Sequence, residues 1–306
     1  MDISIIELDQ PRRLQELYRF RISSHVKTQI SRSPNPQPLL QQFVPAEAEL
    51  DFSTEEDLDP LQEDSEISPL PNLVHKYINK ALFLVNDNCP VYCRFCTRKR
   101  RTLKRDAAAV YDDAAAIKYI ESQPQINEVI LSGGDPLMLS AEKLQRLLEK
   151  LVHIQHVKFL RIHSRVITTL PARITESLCH FLKQIHTAKP LALVLHINHS
   201  SELDERNRAA ISLLQRHGLT LYSQSVLLKN INDCSEQLTE LFTGLSALNV
   251  QPYYLHQLDR VRGSTHFYVE EQMALEIMRE LRQKVPPYML PRFVQDSKQG
   301  KKNLFY

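Results

Sequence analysis

Asn88-Cys89-Pro90-Val91-Tyr92-Cys93-Arg94-Phe95-Cys96-Thr97-Arg98-Lys99-Arg100-Arg101, NCPVYCRFCTRKRR, places three of the chain's five cysteines within eight positions and follows them with four consecutive cations. The run ALFLV at 81–85 precedes it directly and has the length and apolar character of a buried strand. Strand followed by a cysteine-bearing loop is therefore the local reading, and it decides what kind of sheet the rest of the chain must build. The spacing C-x3-C-x2-C brings three thiolates within reach of one compact metal centre, with a position left for an outside ligand, whereas four cysteines would close a structural site. Two other readings stand beside it. The i, i+4, i+7 spacing would also place three core cysteines on one helix face, although Pro90 and the cations suit a loop better. A zinc ion completed by a distant histidine fits the same thiols.

Outward from this loop, short β-rich runs alternate with segments of helical period. Strands are expected at 81–85, 128–134, 159–165, 191–198, 219–228 and 250–258, and helices at 112–123, 140–152, 174–186, 202–217, 233–248 and 270–284. Six βα units in succession predict an α/β fold with a parallel sheet, either doubly wound or a partly closed (β/α)6 barrel. Chemistry in such folds lies beyond the C-terminal ends of the strands. Those ends are polar here: Asn86-Asp87-Asn88-Cys89, Ser132-Gly133-Gly134-Asp135, His163-Ser164-Arg165, His196-Ile197-Asn198-His199, Ser223-Gln224-Ser225 and His256-Gln257-Leu258-Asp259.

Residues 1–74 read as an N-terminal helical and acidic extension, 75–284 as the core, and 285–306 as a C-terminal tail. An amphipathic helix is expected at 11–30, then the Pro-rich linker SRSPNPQP, then a stretch at 47–66 with ten acids and no Lys or Arg. With 38 Lys and Arg against 36 Asp and Glu, the net charge of +2 argues against a general nucleic-acid or membrane binder. No apolar run is long enough to span a bilayer, the start MDISIIELDQPRR lacks a signal-peptide pattern, and five cysteines do not form a secreted disulfide framework, so a cytoplasmic protein is expected.

The cysteine spacing, the aromatic before the last cysteine and the six βα units together resemble the radical S-adenosylmethionine (SAM) enzymes. In that family three cysteines hold a [4Fe–4S] cluster and the remaining iron binds S-adenosylmethionine; the resemblance assigns these places to Cys89, Cys93 and Cys96. The turn Ser132-Gly133-Gly134-Asp135 resembles the family segment at the methionine amino group. DPLQED at 59–64, HKYINKALFLV at 75–85, CRFCTRKR at 93–100, LSGGDPL at 131–137, LRIHSR at 160–165, HINH at 196–199, QSVLLKNIND at 224–233 and PYYLHQLD at 252–259 sharpen the likeness to the lysine 2,3-aminomutase family, including relatives that make (R)-β-lysine for modifying translation elongation factor P.

That resemblance implies a partial (β/α)6 barrel of radical SAM type that adds pyridoxal 5'-phosphate to the cluster and S-adenosylmethionine and shifts an amino group between adjacent carbons, α-lysine becoming β-lysine. It implies Arg98 for the substrate α-carboxylate, a task suited to a bidentate guanidinium. Asp259 and Asp296 are implied for the ε-ammonium, a pair that would repel a glutamate-type substrate. His196 and Gln224 fall at positions contacting S-adenosylmethionine, and Lys76, Tyr77 and Lys80 where family members surround the coenzyme phosphate, commonly with arginines. The coenzyme-anchoring lysine is sought in DSKQGKKNLFY; matching KNLF to the family ending favours Lys302, then Lys301, then Lys298. An electron donor such as flavodoxin or ferredoxin is implied as a partner, a homodimer is left open, and the rivals are a glutamate 2,3-aminomutase, a radical SAM enzyme without pyridoxal phosphate, and a non-catalytic iron–sulfur or zinc module.

Overall fold

The computed structural model describes residues 12–52, 54–103, 111–297 and 299–305. Its sheet grows from the expected apolar runs: β2 (Lys80–Leu84), β3 (Glu128–Ser132), β4 (Phe159–Ser164), β5 (Leu191–His196), β6 (Thr220–Val226) and β7 (Gln251–His256). β1 (Leu73–Tyr77), β8 (Arg292–Ser297) and β9 (Gly300–Asn303) extend it at both edges. The nine strands pair in sequence order, parallel from β2 through β8 and antiparallel only at β1–β2 and β8–β9. A doubly wound sheet reverses its order at a switch point; this one never does, and it curls into a partial (β/α)6 barrel. All parallel strands thus deliver their C-terminal ends to one side.

The helices, in chain order, are α1 (Arg12–Leu17), α2 (Ser24–Arg32), α3 (Gln37–Phe43), α4 (Lys99–Thr102), α5 (Asp113–Glu121), α6 (Ala141–His153), α7 (Val166–Thr169), α8 (Glu176–Ala188), α9 (Glu205–Arg216), α10 (Ser235–Ala247) and α11 (Glu271–Lys284). Helix α6 shows why the crossovers are helical. Ser140 caps it by accepting from the Lys143 amide at 3.2 Å, and Leu144, Leu147, Leu148 and Leu151 recur on one buried face. Those faces and the strands' inward residues form one apolar core, with Phe83, Leu131, Leu193 and Phe293 fully buried.

Two expectations are corrected. The helix expected at 11–30, whose first residue lies outside the described residues, is two helices. Between them the backbone pairs with the cysteine loop instead of with itself: Arg19 N–H donates to Leu103 at 2.6 Å, and Tyr92 N–H donates to Arg21 at 3.0 Å. Ser23 then caps α2 through the Val26 amide. The expected Pro-rich linker contributes α3, which packs with α2 against Val91 of the cysteine loop. The second correction concerns 285–306. The C-terminal tail, for which no strand was expected, holds β8 and β9, and the Tyr77 hydroxyl accepts from the Lys301 amide at 2.7 Å, joining β1 to β9.

The N-terminal segment is bound to the cysteine loop by a buried ion cluster. Glu49 accepts from Arg94 Nε and Nη2 at 2.8 and 2.7 Å and from Lys99 Nζ at 3.0 Å, with all three side chains essentially inaccessible. Burial alone would raise the Glu49 pKa, but Lys99 and Arg94 outweigh it and hold the carboxyl below the usual range. Replacing Glu49 by Gln leaves two buried cations without a counter-charge, and a loss of about 3–5 kcal/mol is expected in denaturant unfolding. The wild-type protein should lose that same stabilisation as pH falls below about 4.3, since a depressed carboxylate pKa stabilises the fold only while the group is ionised. A variant as stable as the parent, with an unchanged acid profile, would show that the cluster is not structural.

Candidate active site

The strand ends enclose one cavity of about 560 Å³. Cys89, Cys93 and Cys96 line one wall, in a loop without regular structure between β2 and α4. The loop is shaped from both sides. Asn86 O and Asn88 O accept from the amides of Gly134 and Asp135 at 2.6 and 2.9 Å. A Cβ on Gly133, whose φ is +118°, would meet Asn86 O at 2.3 Å, and one on Gly134 would meet the Asn88 backbone at 2.6 Å. The two glycines therefore let the β3 turn press against the start of the cysteine loop.

The thiols have distinct surroundings. Arg165 Nη1 donates to Cys93 Sγ at 2.8 Å, while its Nη2 contacts Glu202 at 2.9 Å and Gln42 of α3. Cys96 Sγ lies 3.7 Å from the Thr102 hydroxyl. Burial raises the Cys89 and Cys93 pKa values, and for Cys93 the Arg165 charge opposes that rise. Among the described residues no three His, Cys, Asp or Glu side chains gather closely enough to hold one metal ion. A single zinc would draw its thiolates to about 2.3 Å from one centre. In an iron–sulfur cluster each thiolate binds its own iron, so three thiols are not required to meet at one point.

Ser132, Gly133, Gly134 and Asp135 reach the cavity, but the Asp135 side chain is spent within the chain. It accepts from the amides of Arg165, Val166 and Leu137 at 2.6, 3.0 and 3.0 Å and from the Ser164 hydroxyl at 2.8 Å. Burial outweighs those bonds and lifts its pKa to about 6. Its work is to tie the ends of β3 and β4 together, so the backbone groups of this turn and the Ser132 hydroxyl remain for a ligand. His196 faces Phe95 at 5.7 Å between ring centres and bonds Asn198 Oδ1 at 3.2 Å; burial lowers its pKa well below the usual value. Gln224 lines the same wall.

The cavity also carries paired charges. Arg98 donates from Nε and Nη2 to Glu63 at 2.8 and 2.6 Å. Asp259 accepts from the Thr97 hydroxyl at 2.5 Å; burial, then the charge of Asp296, pushes its pKa up to about 7. Asp296 differs. Burial works to raise its pKa too, but His256 Nδ1 at 3.2 Å and Lys301 Nζ at 2.8 Å hold it well below the usual range. Lys76 donates to Ser297 O, and Lys80 sits 4.1 Å over the Tyr77 ring; all three side chains border the cavity.

Of the candidate anchoring lysines, Lys301 and not Lys302 lines the cavity, its ammonium 4.5 Å over the Tyr254 ring. Lys302 is exposed. Neighbouring residues of a strand face opposite ways, so only one of the pair can turn inward. The structure thus brings Lys301, the second choice, to the cavity and not the preferred Lys302, and Lys298 lies outside the described residues. The sequence reading assigned no role to Glu63, Thr97, Arg165 or His256. Glu63 and Thr97 stood in quoted motifs, DPLQED and CTRKR, while Arg165 and His256 were legible only as polar strand ends.

Among the described residues no helix is long and apolar enough to cross a membrane. Residues 83–242 match the radical SAM superfamily. The chain is 38% identical over 285 residues to the L-lysine 2,3-aminomutase of Escherichia coli (strain K12), covering 93% of this chain and 82% of that protein. It is 40% identical over 269 residues to the L-lysine 2,3-aminomutase of Acetoanaerobium sticklandii, covering 88% of this chain and 64% of that longer protein. A radical SAM methyltransferase from Sphaerobacter thermophilus superposes with a TM-score of 0.50 at 13% identity, over 75% of this chain and 72% of that one, a likeness of fold alone. A barrel with sequential strand order, three loop thiols at its mouth and this degree of identity over nearly the whole chain lead to one conclusion: the chain belongs to the radical SAM superfamily and, within it, to the L-lysine 2,3-aminomutase family of isomerases.

Proposed function

We propose that the protein interconverts L-α-lysine and β-lysine, using pyridoxal 5'-phosphate anchored on Lys301 besides the [4Fe–4S] cluster and S-adenosylmethionine that its superfamily implies. The observation that carries the reading is one cavity lined by a guanidinium, Arg98, two carboxylates, Asp259 and Asp296, an inward lysine and three thiols. When bound, these groups supply one-electron bond cleavage and an imine-forming carbonyl, chemistry no side chain provides.

The residues present suit them. Cys89, Cys93 and Cys96 would hold the cluster, and the Arg165 guanidinium at Cys93 offers charge to a thiolate. Lys301 would hold the coenzyme, with Lys76, Lys80 and Tyr77 beside it as cationic and aromatic neighbours for its phosphate. The chain's own work is then recognition. Arg98 grips the α-carboxylate, while Asp259 and Asp296 receive the ε-ammonium and repel a second carboxylate, which disfavours a glutamate-type substrate. Once Lys301 is committed to the coenzyme, Asp296 is released from it for the substrate. The acidic segment and the β8–β9 hairpin border the cavity and limit access of water to it. His163-Ser164-Arg165 and PYYLHQLD favour a role supplying (R)-β-lysine for elongation factor P, whereas Thr97 and DPLQED favour a stand-alone β-lysine producer; in either case a flavodoxin or ferredoxin would be the electron donor.

Anaerobic incubation of the reconstituted protein with reductant, the two cofactors and either lysine or glutamate tests the function by chromatography. β-Lysine formed from lysine alone is expected; 5'-deoxyadenosine without a β-amino acid would overturn the substrate. For the anchor, Lys301→Ala should abolish both the visible absorbance of lysine-bound coenzyme and its trapping by borohydride, whereas Lys302→Ala should keep both; the reverse pattern would return the role to Lys302. For the ammonium end, a carboxyl with a pKa of about 7 attracts a cation only when ionised. The KM for lysine should therefore be flat well above pH 7 and rise as pH falls below it, by up to about tenfold per unit. Asp259→Asn should raise KM and flatten that profile, and an unchanged profile would remove Asp259 from the site.

A further inference from the structure

DPLQED at 59–64 sends two residues to the cavity, Leu61 and Glu63, of which Glu63 is the charged one. Glu63 is 3% exposed, and its carboxylate fills the Nε and Nη2 edge of Arg98 with two short bonds. That is the geometry an α-carboxylate would itself adopt on a guanidinium. At the ammonium end the pattern repeats with opposite sign, since Lys301 occupies Asp296 at 2.8 Å. Arg98 and Asp296 are thus each met by a group of the chain bearing the same charge as the substrate end expected there, whereas Asp259 has only the Thr97 hydroxyl.

We propose that Glu63 is a resident competitor for the carboxylate subsite, which the substrate carboxylate displaces from the Nε and Nη2 edge of Arg98. The proposal deepens the lysine reading and rests on it. A buried guanidinium without a counter-charge is costly, so Arg98 needs a partner when no substrate is bound. Two carboxylates cannot share one edge without repulsion, so a substrate carboxylate that takes the Nε and Nη2 edge exchanges with Glu63. Arg100, whose Nη2 lies 3.8 Å from Glu63 Oε2, keeps cationic charge beside the displaced carboxylate while it remains paired with Asp59 and Asp64. The segment need not unfold for the swing. Asp59 accepts from the Glu63 and Asp64 amides at 3.0 and 2.8 Å and pairs with Arg100 at 2.7 Å, and Asp64 pairs with Arg100 and Arg101, so the backbone stays stapled to α4 while one side chain turns. Competition of this kind makes the subsite selective. A ligand with a carboxylate alone gains little by evicting Glu63, whereas one that also brings an ammonium to the aspartates gains at both ends.

The test is the affinity of coenzyme-loaded protein, kept anaerobic, for lysine and for 1,5-diaminopentane, which has both amines and no carboxylate, by isothermal titration calorimetry. Glu63→Gln should tighten lysine by about five- to tenfold and leave the diamine unchanged. Should E63Q not fold, Glu63→Asp shortens the reach to Arg98 and is expected to shift lysine in the same direction as E63Q. Weaker or unchanged lysine binding by the Glu63 variants would overturn the competitor role and make Glu63 a fixed partner that orients Arg98. Lysine binding by none of the proteins, with coenzyme retained, would instead overturn the lysine reading itself, an outcome visible in the wild-type titration alone.

Discussion

The site depends on the burial of Arg94 against Glu49. The cysteine loop has no ladder or helix to hold its shape, and its thiols are useful only if it is rigid. A buried ion pair bound by two hydrogen bonds supplies that rigidity, because neither partner can leave without stranding the other. Arg94 stands between two of the cysteines, and its partner comes from a segment that precedes the barrel, so the N-terminal part of the chain acts as the outer half of the cysteine mount. Arg165 repeats the principle one layer further in, linking Cys93 to Glu202 and to Gln42 of α3.

The two aspartates show how placement alone divides a pair of identical side chains. Asp259 has a hydroxyl donor and a like charge nearby, and burial drives its pKa to about 7. Asp296 has a histidine and a lysine against it and stays ionised. An arriving ammonium therefore meets one carboxylate that is charged in advance and one that its own charge would ionise, and the two are linked because each is part of the other's field.

The barrel is open between β1 and β9, and the residues that cross the gap serve the site as well. Tyr77 accepts from the backbone of Lys301, and Lys76 donates to Ser297 O between the two edge strands. The hairpin that presents Lys301 is thereby held by the same strand that brings Lys76, Tyr77 and Lys80 to the cavity. Edge strands are ordinarily exposed to pairing with other chains; here the opening is the mouth of the cavity, spanned by side chains.

The repeated strand and helix periods determined the parallel α/β architecture from sequence alone, because burial on both faces writes itself into local composition. The thiol spacing and the Gly133-Gly134 turn were equally legible, being local in the chain. What the tertiary structure decided is pairing. No local signal says that Glu63 meets Arg98, that Asp135 spends its carboxylate on the β4 end, or that α1 and α2 part so that Arg21 can pair with Tyr92, since each partner lies dozens of residues away. The choice between Lys301 and Lys302 needed the register of a hairpin, because a shift of one residue in a strand turns every side chain to the other face. Order along the chain revealed which groups exist; only their burial together revealed which of them are already satisfied and which remain for a ligand.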